Sequence, residues 1–178
     1  MKRYILTVAL ITCSLNAGTL TDIGSKFVGA AVRGDFASVE ETLWAEGGQK
    51  EAMLEAMKGA AGAIESGELM ISHIDRELII GDLGVTLIKI KTKSGKVDYD
   101  PIIYVKDATG WHILPYADAR GLKKFAMSRT KDEQIHLRLF NEWANMVEEQ
   151  EQQAGNGKTA TRPESESEGG DAKNYQER

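Results

Sequence analysis

Residues 84–115 read GVTLIKIKTKSGKVDYDPIIYVKDATGWHILP. Runs rich in Val, Ile, Thr and Tyr alternate with Lys93-Ser94-Gly95-Lys96 and Asp107-Ala108-Thr109-Gly110, two turn-forming tetrads short enough for hairpins. This texture predicts strands over 84–92, 97–106 and 111–115. Residues 68–80 share it and lead into Gly81-Asp82-Leu83-Gly84, which adds a first strand and completes an antiparallel meander. The first strand is too long to stay flat, and its alternation slips between Ile71 and Ile74, so a bulge is expected there. Pro101 has no N–H to donate and belongs at an edge or a bulge.

Upstream the period changes from two to about 3.6. Ile23, Phe27, Val28 and Ala31 share a helical face over residues 19–33, and Gly34-Asp35 ends it. Ser38 and Glu41 form a capping-box pattern at the start of a short helix bearing Val39, Leu43 and Trp44. A third helix, about 49–65, aligns Met53, Leu54, Met57, Ala60, Ala61 and Ile64; the methionines suit irregular core gaps. After the strands, residues 116–128 read as a short helix or loop anchored by Leu122, Phe125 and Met127. A second capping box, Thr130 with Glu133, then opens a long amphipathic helix over 129–153. Its apolar stripe is read as Ile135, Leu139, Trp143, Met146 and Val147, and it either packs on its own domain or pairs with another chain.

Helices followed by a bent antiparallel meander define an α+β class, with the N-terminal helices laid into the concave side of the sheet. The segments AAVRGDFASVEETL (30–43) and KDATGWHIL (106–114) resemble corresponding parts of the cystatin-like α+β roll in the nuclear-transport-factor-2-like superfamily. The likeness spans residues 19–115 and is closest in kind to small secreted bacterial members of unknown function. It implies a roll with a conical interior, and no activity, since that fold hosts both enzymes and inert binding modules.

The ends of the chain are of another kind. MKRYILTVALITCSLNAG begins with two cations, continues in an apolar run and ends in small residues, the order of a secretory signal. Cleavage after Ala17 is the leading reading; lipidation at Cys13 in the lipobox-like Leu10-Ile11-Thr12-Cys13 is the alternative, weakened by Thr12. The expected organisation is therefore a signal peptide (1–17), a roll domain (18–128), the amphipathic helix (129–153) and a polar, disordered tail (154–178) with too little apolar surface to offset its ordering entropy. Secretion or a periplasmic location follows from the first of these, a lipid anchor from the alternative.

Composition limits the function. The chain has 178 residues, 42% of them hydrophobic, and a formal charge of −5; loss of Lys2 and Arg3 with the leader would leave −7. Such an acidic body is repelled by phosphate backbones, so no nucleic-acid partner is expected. Three scattered histidines and one cysteine give no metal-ligand spacing, and no metal or cofactor is expected.

Acid–base candidates are His73, Asp75, Tyr99, Tyr104 and His112. His73 and Asp75, two apart on a strand, share a face where a carboxylate could orient an imidazole, with Tyr104 or Trp111 as the apolar wall of a ligand site. Charged neighbours Arg76 and Glu77 favour a solvated edge instead. Two functions stand: a non-catalytic secreted binding or assembly module holding a small apolar ligand, a protein partner or a second copy through Ile135, Leu139 and Trp143; or a small-molecule lyase or isomerase built on His73 and Asp75.

Overall fold

The computed structural model describes residues 19–45, 49–116 and 119–157. The leader, Cys13 and the tail from residue 158 lie outside the described residues. Helices α1 (Thr19–Val32), α2 (Phe36–Thr42) and α3 (Lys50–Glu65) precede strands β1 (Leu69–Ile80), β2 (Leu83–Thr92), β3 (Val97–Asp107) and β4 (Gly110–Ile113); α4 (Ala119–Ser128) and α5 (Lys131–Gly157) close the chain. The strands form one antiparallel sheet in the order β1-β2-β3-β4, as three successive hairpins require. The α+β class and the four-strand meander are those expected from the alternating pattern.

Three local expectations shift. Register slips between Ile74 and Glu77, not between Ile71 and Ile74, so Asp75 and Arg76 are the extra residues of the bulge. Asp35, not Ser38, caps α2: its carboxylate accepts from the Ser38 amide at 3.2 Å and from the Ser38 hydroxyl at 2.6 Å. An aspartate three residues before a free amide outcompetes a serine one turn inside the helix. Helix α5 runs on to Gly157, four residues beyond its expected end. The Thr130–Glu133 capping box is present in both directions, with the Glu133 amide donating to Thr130 Oγ1 at 3.3 Å and the Thr130 amide to Glu133 Oε2 at 3.0 Å.

The sheet is covered on both faces. On the inner face Ile71, Ile88, Ile102, Tyr104 and Ile113 meet Leu20, Phe27, Val28 and Ala31 of α1, Val39 of α2, and Leu54, Met53 and Met57 of α3. On the outer face Leu83, Val85, Ile103 and Val105 meet Leu137 and Phe140 of α5, while Ile74 and Leu87 meet Val147. A strand buried on both sides reads as a nearly continuous apolar run. That is why β2 and β3 contain Gly84-Val85-Thr86-Leu87-Ile88 and Ile102-Ile103-Tyr104-Val105.

Helix α5 thus lies on the back of the sheet and does not close the cone. Its buried face is Leu137, Phe140 and Val147, with Trp143 and Ala144 partly covered; Ile135, Leu139 and Met146 face outward. The stripe read from sequence merged two faces, because each four-residue step drifts by about 40° and the series Ile135, Leu139, Trp143, Val147 winds from the outward side to the buried one. Arg76 of the bulge fixes the far half of the helix, donating to Gln150 Oε1 at 2.6 Å and approaching Glu151 at 3.7 Å.

This orientation has a direct test. In dilute protein, Phe140→Ala should lower unfolding free energy by about 3 kcal/mol or more in chemical denaturation, as a large buried side chain lost to a cavity. Leu139→Ala should change it by no more than about 0.5 kcal/mol. The reverse ranking would mean that α5 docks on its other face.

Candidate functional site

Between its two covers the inner face has a closed end and an open end. The closed end is where β1 meets α1. Glu77, just past the bulge, accepts from the Leu20 and Thr21 amides at 3.0 and 3.1 Å, satisfying donors that the first turn of α1 leaves free. One turn on, Gly24 lies so near the sheet that a Cβ there would sit 2.4 Å from His73 Nε2 and 2.5 Å from the Tyr104 hydroxyl. Gly24 therefore belongs to the contact, and its missing side chain makes room for the imidazole.

His73 is held in a chain of hydrogen bonds. Its Nε2 is 3.0 Å from Thr86 Oγ1, and Thr86 Oγ1 is 2.9 Å from the Tyr104 hydroxyl. On the other side Nδ1 lies 3.3 Å from Ser25 Oγ and 3.5 Å from Asp75 Oδ1. One proton order satisfies every group: Tyr104 donates to Thr86, Thr86 donates to His73 Nε2, and His73 Nδ1–H points to Ser25 and Asp75. Burial holds the imidazole below the ordinary histidine value, opposed in part by Asp75, and it pushes the Tyr104 phenol well above its own. Both groups are accordingly neutral near pH 7, as the chain of donors needs.

His73 and Asp75 are thus brought together, yet in unlike surroundings. The His73 side chain is 5% exposed and that of Asp75 is 88% exposed. Neither lines the cavity beside Trp44 and Phe125, the groove of α1 and α2 against Trp111, or the cavity beside Phe27 and Ile102, and the nitrogen that would act as base faces Thr86. Tyr104 is fully buried in the same chain and offers a ligand no surface. Trp111 packs on the inner-face core and borders a groove against α1 and α2, with Lys106 Nζ 5.7 Å from its ring centre. His112 turns back to the β3–β4 hairpin, 2.7 Å from Thr109 Oγ1. Tyr99 lies on the outer face under Lys89. No group of three or more potential metal ligands occurs among the described residues, and no helix there is long and apolar enough to cross a membrane.

The open end is a cavity of about 400 Å³. Phe27 of α1, Met53 of α3, Ile88, Ile102 and Ile113 of the sheet and Leu122 of α4 form its walls, with Tyr116 and Pro101 toward the mouth. The Tyr116 hydroxyl donates to the Pro101 carbonyl, which fixes the ring as part of the wall. Asp100 is the charged group in the lining, exposed at the rim. Partial desolvation, and then the like charge of Asp98, hold its carboxyl above the ordinary aspartate value. Among the described residues no cation pairs with Asp100, whereas Asp98 is held by Lys96 at 2.8 Å. His73, Ile88 and Asp100 occupy one cross-strand row, so the closed and open ends are separated by a single isoleucine.

Asp100 is not among the acid–base candidates expected from the sequence. The signal was present: in Asp98-Tyr99-Asp100-Pro101-Ile102-Ile103-Tyr104 the even positions share the face of Ile102 and Tyr104, which places two carboxylates in line with core residues.

No protein-family profile matches the chain, and no curated protein does. A solved structure similar to it is a Campylobacter jejuni protein described as an NTF2-like transpeptidase, with 12% identity and a TM-score of 0.43 over 56% of this chain and 100% of that one. Likeness at that level supports no statement about activity, which rests on the site itself.

The buried histidine makes stability pH-dependent. A base whose folded value is depressed loses stability as pH falls below its ordinary value of 6.5, because the unfolded chain takes the proton first. Unfolding free energy should therefore fall between about pH 7.5 and about pH 5.5, and His73→Gln should flatten that slope. An unchanged slope in the variant would show that His73 is not the group responsible.

Proposed function

We propose that the chain is a non-catalytic binding module whose inner-face cavity takes a small ligand with an apolar body and a cationic or strongly donating end. The observation that supports this reading is the cavity lined by Phe27, Met53, Ile88, Ile102, Ile113 and Leu122 with one carboxylate at its rim, Asp100, that pairs with no cation among the described residues. Its volume, about 400 Å³, lies within the range that small-molecule sites use, and an apolar wall with few polar groups is their usual chemistry. Desolvation by the ligand would strengthen an ionic contact at Asp100. The buried His73–Thr86–Tyr104 chain serves in this reading to hold α1 on the sheet. A lyase or isomerase needs a base that meets its substrate; Asp100, with its raised carboxyl beside an apolar wall, is placed for that better than His73. Export through residues 1–17 belongs to the same proposal, and the N-terminal sequence of the recovered mature protein tests it.

The cavity is tested with N-phenyl-1-naphthylamine, a neutral probe whose fluorescence rises in apolar surroundings. It should bind one to one, and Leu122→Trp should abolish binding by filling the space while leaving the unfolding midpoint within reach of wild type. Long-chain alkylamines should displace it more strongly than alcohols of equal length, and Asp100→Asn should weaken the amines about tenfold without changing the alcohols. Binding that survives Leu122→Trp places the ligand elsewhere. Equal effects on amines and alcohols remove the role given to Asp100.

A further inference from the structure

Helix α5 has a second apolar face that the domain does not use. Ile135, Leu139 and Met146 are 48%, 40% and 48% exposed. At about 100° per residue they lie within about 40° of one another and about 140° round the helix from the docked face of Leu137, Phe140, Ala144 and Val147. Their spacing of four and seven residues is that of a seam between two helices. Along one flank of the seam the charge changes sign at the middle of the helix. Lys131 and Arg138 come first, Glu142 and Glu149 last, all exposed, and no ion pair within the described chain engages any of the four.

We propose that α5 pairs antiparallel with α5 of a second copy of this chain, about a two-fold axis near Phe140. In that register Ile135 packs against the partner's Met146, the two Leu139 side chains meet beside the axis, and Arg138 faces the partner's Glu142 while Lys131 faces the partner's Glu149. A change of charge sign halfway along a helix is self-complementary only when the second helix runs the opposite way. A parallel pairing would set like charges together, and a partner of uniform charge would match only half of the seam. Two-fold pairing also lets one patch serve both partners. The sheet sides of both copies stay as they are, because the seam lies opposite the docked face of α5. The contact is a single pair of helices, small beside a standard interface, so the dimer is concentration-dependent and does not depend on what the inner cavity binds.

Sedimentation equilibrium over a concentration series tests this on the full chain. Wild type should shift from monomer to dimer. Leu139→Glu should remain monomeric, Arg138→Glu should raise the dissociation constant about tenfold or more, and Arg138→Glu with Glu142→Arg should restore it. Since all these positions are exposed, the unfolding midpoints should match wild type, so loss of association is not loss of fold. For orientation, in a Cys13→Ser background, Ile135→Cys with Met146→Cys should oxidise to a covalent dimer while Ile135→Cys alone should not, its two copies being about 16 Å apart in the antiparallel register and beyond disulfide reach. Wild type that stays monomeric at its solubility limit overturns the proposal. So does a dimer indifferent to Leu139→Glu and Arg138→Glu, or ready cross-linking of Ile135→Cys alone.

Discussion

The carboxylate of Glu77 sets the position from which most of the inner face follows. It reaches from just beyond the β1 bulge to the free amides of Leu20 and Thr21 and thereby fixes where α1 begins on the sheet. The helix can come that close only because two positions lack side chains. A Cβ at Gly24 would strike His73 and Tyr104, and one at Gly84 would sit 2.4 Å from Leu20 Cδ1. Once α1 is seated, Leu20, Phe27, Val28 and Ala31 fall on the sheet in turn, and Phe27, one turn beyond Gly24, becomes both core and cavity wall.

The bulge does two further jobs through the residues it inserts. A regular strand would send Asp75 to the face of His73 and Arg76 to the face of Ile74. The two-residue insertion after Ile74 keeps those directions while freeing both residues from the ladder: Asp75 stands in solvent within reach of His73 Nδ1, and Arg76, on the α5 side, reaches Gln150 and Glu151. One irregularity in β1 thus ties together the helix on the inner face and the helix on the outer face. Extra residues in a ladder bend and twist the strand, which is how a long first strand follows a curled sheet.

Among the described residues every buried side-chain polar atom has a hydrogen-bond partner. Thr86 is fully buried between His73 and Tyr104, and its hydroxyl is both donor and acceptor in the chain they form. A network with every member satisfied stiffens a core. At the other end of the cross-strand row Asp100, which pairs with no cation among the described residues, lies beside the apolar cavity. Along the inner face the hydrogen-bonded polar chain lies toward β1 and the apolar cavity toward β3 and α4.

The sequence by itself determined the α+β class, the four strands and their hairpins, the helix starts to within a few residues and the Thr130–Glu133 cap. All of these are local: alternation, turn residues and capping pairs act within a few positions, so they can be read along the chain. It also placed His73 and Asp75 near each other. Only the tertiary structure decided that this histidine is walled in by Gly24 and Thr86, that Asp100 borders a cavity, and that α5 turns Leu137 and Phe140 inward while leaving Ile135 and Leu139 outside. Each of those depends on which of two available faces meets a partner distant in sequence. A helix with two apolar faces, or a strand buried on both sides, carries no periodic mark that says which partner lies on which side.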